Sequence, residues 1–130
     1  MSKYCGPFVL PKVMKVSPEE AASVVQLVTS NPRYRRGVRG MMDTDMSQVL
    51  TAKVGVKAYL VEPKCQLKTW AKARKYHNDK GVWVVLITRH YVLYKDGVVT
   101  DTYRKEGELI DNHPFATRKV RRAWYLGELT

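Results

Sequence analysis

The chain has 130 residues, 45% of them hydrophobic, and its 23 Lys and Arg outnumber its 12 Asp and Glu, for a formal net charge of +11. This length fits a single domain, and the apolar content excludes an intrinsically disordered chain. No apolar stretch approaches the roughly 20 residues that cross a bilayer, so no membrane role is expected. The N-terminal residues lack the features of a secretory signal, which predicts a cytoplasmic protein whose two cysteines stay reduced.

The first half of the chain carries two helix signals. Ser17-Pro18-Glu19-Glu20 combines a hydroxyl N-cap, a proline in the first turn and a glutamate placed for a capping box. Asn31-Pro32 ends this helix, and the arginine-rich stretch 33–40 is predicted to be an exposed loop. A second helix is expected to begin at Asp43 or Thr44.

The second half has strand signals around one further helix. A short strand is predicted over 56–61, a helix over about 66–76, and a buried strand over the continuous β-branched run 82–87. Asp96-Gly97 is a two-residue hairpin signal between strands 90–95 and 98–103. Local secondary-structure propensity does not decide whether residues 119–126 form a strand or a helix.

This order of elements predicts an α+β domain spanning residues 1–130. A helical half covers about 1–55, and an antiparallel sheet with one inserted helix covers about 56–130. A cleft between the halves is the expected place for a functional site, with Cys5 on the helical side and His90 on the sheet side.

Cys5, His90 and Asp101 form the candidate catalytic set. If Asp96-Gly97 is a two-residue turn, Val92 lies opposite Asp101, and His90 becomes its diagonal neighbour at about 7 to 8 Å between backbones. In this set the thiolate of Cys5 would be the nucleophile, His90 would exchange protons, and Asp101 would fix the imidazole tautomer.

These residues resemble the papain-like cysteine peptidase superfamily, and in particular its small bacterial branch of bacteriocin-leader-processing peptidases. The matching motifs are Cys5-Gly6-Pro7, His90-Tyr91-Val92 and Asp101, in the same order of elements. The resemblance implies a papain-like fold and a thiol peptidase, or a related amide or isopeptide hydrolase, acting on peptides or proteins. In that branch a glutamine before the cysteine helps bind the oxyanion, whereas here only Met1 to Tyr4 precede Cys5.

The positive charge supports an alternative from a different class, a basic binding module. Its partner would be nucleic acid or an acidic protein. Such a module could have a papain-like fold that has lost its catalytic activity. Its candidate contact residues are basic side chains with interleaved aromatic rings for base stacking, chiefly Arg35, Arg36, Arg39 and Trp70. A related fold that cleaves cell-wall peptides is a third alternative.

No cofactor is expected, and no metal site is predicted. The cysteines and histidines show neither Cys-x-x-Cys nor His-x-x-x-His spacing, which structural and catalytic zinc sites favour. Cys65 has no second histidine and acid set near it in sequence and serves as the reference thiol.

Overall fold

The computed structural model describes residues 5–34, 41–61, 64–76, 81–88, 90–101 and 106–128, with backbone alone for 5–8 and 75–76. The helices are α1 (Cys5–Met14), α2 (Pro18–Thr29), α3 (Asp43–Lys53) and α4 (Leu67–Tyr76). The strands are β1 (Ala58–Val61), β2 (Val82–Ile87), β3 (His90–Lys95), β4 (Val98–Thr100), β5 (Glu108–Leu109) and β6 (Val120–Gly127). None of the helices in these ranges combines the length and apolar character that a bilayer crossing requires.

Helices α2 and α3 begin where their sequence signals place them. The Ser17 hydroxyl accepts a hydrogen bond from the Glu20 amide at 3.2 Å, which caps the start of α2. Ser30 closes α2 in the left-handed conformation, just before Pro32. α3 begins at Asp43, one of its two predicted starts. α1 was not predicted as a separate element, because Pro11 lies inside it and removes one helical hydrogen bond.

The strands form one six-stranded antiparallel sheet in the order β1-β6-β2-β3-β4-β5. The predicted α+β class is therefore confirmed. The last strand, β6, lies between β1 and β2, so residues 120–127 are a strand and not a helix. Placing β6 inside the sheet gives its backbone groups partners on both sides, which propensity alone cannot anticipate.

Helices cover both faces of the sheet, and each face has its own apolar core. On one face, α1, α2 and α3 pack on side chains that include Tyr91 and Leu93 of β3. On the other face, α4 packs on Val92 and Tyr94 of the same strand. Strand alternation assigns neighbouring residues of β3 to opposite cores, so the face on which a functional side chain lies decides which helices can reach it.

The hairpin after β3 has the predicted register. Lys95 pairs with Val98, Tyr94 with Val99 and Leu93 with Thr100, as a two-residue turn at Asp96-Gly97 requires. Both turn residues have positive φ, 50° at Asp96 and 82° at Gly97, as a type I′ turn does. This register puts Asp101 on the sheet face that carries His90.

Candidate active site

His90 and Asp101 meet as a buried pair. Nε2 of His90 lies 2.9 Å from Oδ2 of Asp101, and the side chains are 1% and 0% exposed. His90 is the first residue of β3, and Asp101 follows the last residue of β4. The predicted proximity of these two residues is therefore confirmed, and the contact is a direct hydrogen bond.

A second histidine contacts the same carboxylate oxygen. Nε2 of His113 lies 3.1 Å from Oδ2 of Asp101, and the His113 side chain is fully buried. Sequence reasoning missed this residue because it lies in a turn without strand or helix periodicity. The only available signal was a histidine between Asn112 and Pro114, which by itself does not indicate a contact with Asp101.

The backbone identifies the tautomer of His113. The amide N–H of Phe115 donates to Nδ1 of His113 at 3.1 Å, so this nitrogen must present a lone pair. In a neutral imidazole the proton then resides on Nε2. His113 is thus a hydrogen-bond donor to Asp101.

The Phe115 ring packs against both imidazoles. The Phe115 ring meets the His90 ring at 5.1 Å and the His113 ring at 5.5 Å between centroids, both in edge-to-face geometry. The guanidinium carbon of Arg118 lies 3.7 Å from the Phe115 centroid, within cation–π range. Arg118 also donates from Nη1 to the Thr88 carbonyl at 3.2 Å, which fixes it over the ring.

The cluster of His90, Asp101 and His113 does not have the donor chemistry of a metal centre. A metal-bound imidazole nitrogen must present a lone pair, whereas Nε2 of His113 carries a proton. Across the described ranges, no group of three or more His, Cys, Asp or Glu is arranged to hold a metal ion.

Cys5 is the first residue of α1, and its side chain lies outside the described residues. α1 packs against β3, the strand that begins with His90. However, α1 belongs to the core of Tyr91 and Leu93, on the sheet face opposite the His90 side chain. A thiol on α1 would therefore have to approach His90 past the N-terminal end of β3.

Cys65 differs from an activated thiol in its surroundings. Its side chain is partly buried, and burial raises the pKa of the thiol above its ordinary value of 9.0, with Arg74 opposing the effect. A raised pKa leaves little thiolate at neutral pH, so Cys65 is a suitable internal reference for the reactivity of Cys5.

The structure corrects one candidate contact residue, Trp70. Its ring is 2% exposed and packs between Trp83 and Tyr94 at 5.1 and 5.3 Å. Tyr34 and Trp124, which also lie close to arginines in the sequence, are 1% and 0% exposed. None of these three rings is available to stack on a base. Arg35, Arg36 and Arg39 lie outside the described residues.

Comparison with protein-family profiles, with curated proteins and with solved structures finds no match for this chain.

Proposed function

We propose that this protein is a papain-like thiol peptidase, or a related amide or isopeptide hydrolase, that acts through Cys5, His90 and Asp101. The observation that carries the proposal is the buried 2.9 Å contact between His90 Nε2 and Asp101 Oδ2. A carboxylate on one ring nitrogen fixes the imidazole and stabilises its protonated form, as a histidine in nucleophilic catalysis requires.

The proposed reaction has two stages. Nδ1 of His90 takes the proton of the Cys5 thiol, and the thiolate attacks the carbonyl carbon of the substrate amide. The C–N bond then breaks as His90 returns the proton to the leaving amine, which leaves an acyl thioester on Cys5. In the second stage water attacks the thioester carbonyl carbon as His90 takes its proton. The C–S bond then breaks, His90 returns the proton to the Cys5 sulfur, and the carboxylic acid is released.

Asp101 remains a carboxylate throughout this sequence. With Nε2 of His90 held on Asp101, Nδ1 is the nitrogen that faces the thiol in the proposal. Because α1 packs on the other side of β3, this geometry requires the start of α1 to lie beside the N-terminal end of β3.

The start of α1 offers a backbone donor for the oxyanion of the proposed reaction. Because α1 begins at Cys5, the first backbone amides of the helix have no partner within the helix, and the Cys5 amide is the donor that we assign to the oxyanion. A positive helix end there also favours the thiolate.

Hydrolysis of a pool of internally quenched peptides tests the activity. We expect wild-type protein and the Cys65→Ala variant to release fluorescence, and the Cys5→Ala variant to release none while keeping the wild-type unfolding temperature. Equal turnover in the Cys5→Ala variant would show that Cys5 is not the nucleophile.

A second candidate function is polyanion binding, and one basic surface favours it. Segments 64–68 and 116–120 are joined by backbone hydrogen bonds of 2.8 to 2.9 Å, from Leu67 to Arg118, from Lys68 to Ala116 and from Val120 to Cys65. These bonds place Lys119 beside the segment that carries Lys64 and Lys68, and all three lysines are exposed. We call them the lysine surface.

The buried positions of Trp70 and Trp124 favour charge-based contacts over base stacking at the lysine surface. This candidate binds phosphate or carboxylate groups in a salt-dependent manner, and its binding is unaffected by Cys5→Ala.

A further inference from the structure

We infer that His113 is a positioning residue for the proposed site, holding Asp101 as a hydrogen-bond acceptor for His90. The inference rests on the proposed function and adds a fourth residue to it. The observation behind it is that Nε2 of His90 and Nε2 of His113 meet the same oxygen, Oδ2 of Asp101, at 2.9 and 3.1 Å.

The hydrogen-bond partners determine which nitrogen of each imidazole carries a proton. Phe115 N–H occupies the lone pair of His113 Nδ1, so His113 must donate from Nε2. A carboxylate only accepts hydrogen bonds, so Nε2 of His90 carries a proton as well. The neutral His90 ring then has its lone pair on Nδ1, which is the nitrogen that must take the thiol proton in the proposed reaction. His113 thereby supports the tautomer that makes His90 a base.

His113 is held in place independently of Asp101. Its amide donates to the Ile110 carbonyl at 3.2 Å, and its carbonyl accepts from the Ala116 amide at 3.1 Å. The Ala116 carbonyl in turn accepts from the Lys68 amide at the start of α4. The donor nitrogen of His113 is therefore presented by a turn that α4 anchors, and it does not depend on the mobility of a long side chain.

The burial of His90, Asp101 and His113 strengthens the hydrogen bond that His113 donates to Asp101. Hydrogen bonds to a charged group are stronger than those between neutral groups, and burial excludes water as a substitute donor. Loss of His113 would take a donor away from Asp101 and weaken its hold on His90. The effect on Cys5 would pass through these two residues, so His113 does not itself touch the reacting atoms.

Two substitutions distinguish the hydrogen bond that His113 donates from the space that its side chain fills. His113→Gln keeps an amide N–H near the position of Nε2, whereas His113→Leu fills the space without a donor. We expect His113→Leu to slow alkylation of Cys5 by iodoacetamide at pH 6 by about 10-fold, the scale of a lost hydrogen bond to a charged group, and His113→Gln to restore most of the rate. Thermal unfolding of both variants is the control for folding.

Long-range 1H–15N spectra of the imidazole rings provide a second readout that does not depend on Cys5. In the wild-type protein we expect a proton on Nε2 of both His90 and His113, and no proton on Nδ1 of His113. A His113 ring with its proton on Nδ1 would overturn the inference even if neither variant folds.

The outcomes distinguish the two proposals. Cys5 could be alkylated rapidly at pH 6 at a rate that depends on His90 but is unchanged by His113→Leu. That result would support the proposed function and contradict the positioning role of His113. If Cys5 reacts as an ordinary thiol in the wild-type protein, the proposed function falls, and with it the positioning role of His113.

Discussion

Asp101 reaches His90 from beyond the end of the β3–β4 ladder. The last backbone pair is Leu93 with Thr100, yet Oδ2 of Asp101 lies 2.9 Å from Nε2 of His90. The acid is therefore placed by the hairpin register and held by its side-chain partners. This arrangement allows the carboxylate to be tested without breaking the sheet.

Replacing Asp101 with Asn should remove activity while keeping the fold. An amide is neutral and would present either a donor or an acceptor to two Nε2–H groups, so the His90 tautomer would no longer be enforced. In the proposed hydrolase we expect turnover to fall by about 1,000- to 10,000-fold. The measurement is hydrolysis of the quenched peptide pool, with Asp111→Asn, an exposed residue of the same charge, as the matched control. An equal decrease in both variants would argue against a specific role for Asp101.

The Tyr34 hydroxyl supplies a pH-dependent stabilisation of the helical side. It donates to Oδ2 of Asp45 at 2.6 Å inside the core. Burial, followed by this hydrogen bond, raises the pKa of Tyr34 from 10.0 to about 12. Because the folded state holds the proton more tightly, this stabilisation is complete below pH 10 and is lost as the pH rises through about 12.

Tyr34→Phe should lower the free energy of unfolding by about 1 to 3 kcal/mol at pH 7, since Asp45 loses a buried donor. It should also flatten the decline in stability between pH 10 and pH 12. Urea unfolding at several pH values measures both effects, with Tyr59→Phe on the exposed edge strand as the control. A wild-type and a Tyr34→Phe curve of the same slope above pH 10 would contradict this assignment.

Sequence patterns predicted the parts of this fold that depend on local chemistry. The Ser17 cap, the start of α3 and the Asp96-Gly97 turn are each determined by a few adjacent residues. The proximity of His90 and Asp101 followed from one correct hairpin register.

Tertiary packing determined the features that the sequence did not reveal. β6 becomes a strand by pairing with β1 and β2, which are distant in sequence. His113 reaches Asp101 because α4 anchors its turn. Trp70 was a candidate for base stacking because it lies among lysines, but the apolar side of α4 buries its ring.

Gly81 should tolerate a side chain much less well than Gly97. Both have positive φ, 116° and 82°, so alanine is strained at either position. A Cβ on Gly81 would also lie 2.5 Å from the backbone carbonyl of Gly127, whereas a Cβ on Gly97 would meet nothing within 4 Å. We expect Gly97→Ala to cost about 1 to 2 kcal/mol and Gly81→Ala to cost more, measured by urea unfolding. The reverse order would mean that β6 does not approach Gly81 as described.

The lysine surface makes a prediction for polyanion binding. If it binds a duplex oligonucleotide, replacing Lys64, Lys68 and Lys119 with Gln should reduce the slope of log K against log salt by about 0.9 for each phosphate that the variant no longer neutralises. The matched control replaces Lys15, Lys53 and Lys95, which are exposed elsewhere and remove the same charge. Equal changes in the two triple variants would indicate a response to net charge alone.

The pH dependence of iodoacetamide alkylation at Cys5, with Cys65 followed by peptide mass in the same sample, shows whether His90 activates the Cys5 thiol. We expect rapid labelling of Cys5 at pH 6, slowed in the His90→Ala variant, while Cys65 labels appreciably only at alkaline pH because burial raises the pKa of its thiol. If Cys5 labels with the profile of an ordinary thiol and His90→Ala leaves that profile unchanged, then His90 and Asp101 do not activate Cys5 and the proposed hydrolase is contradicted.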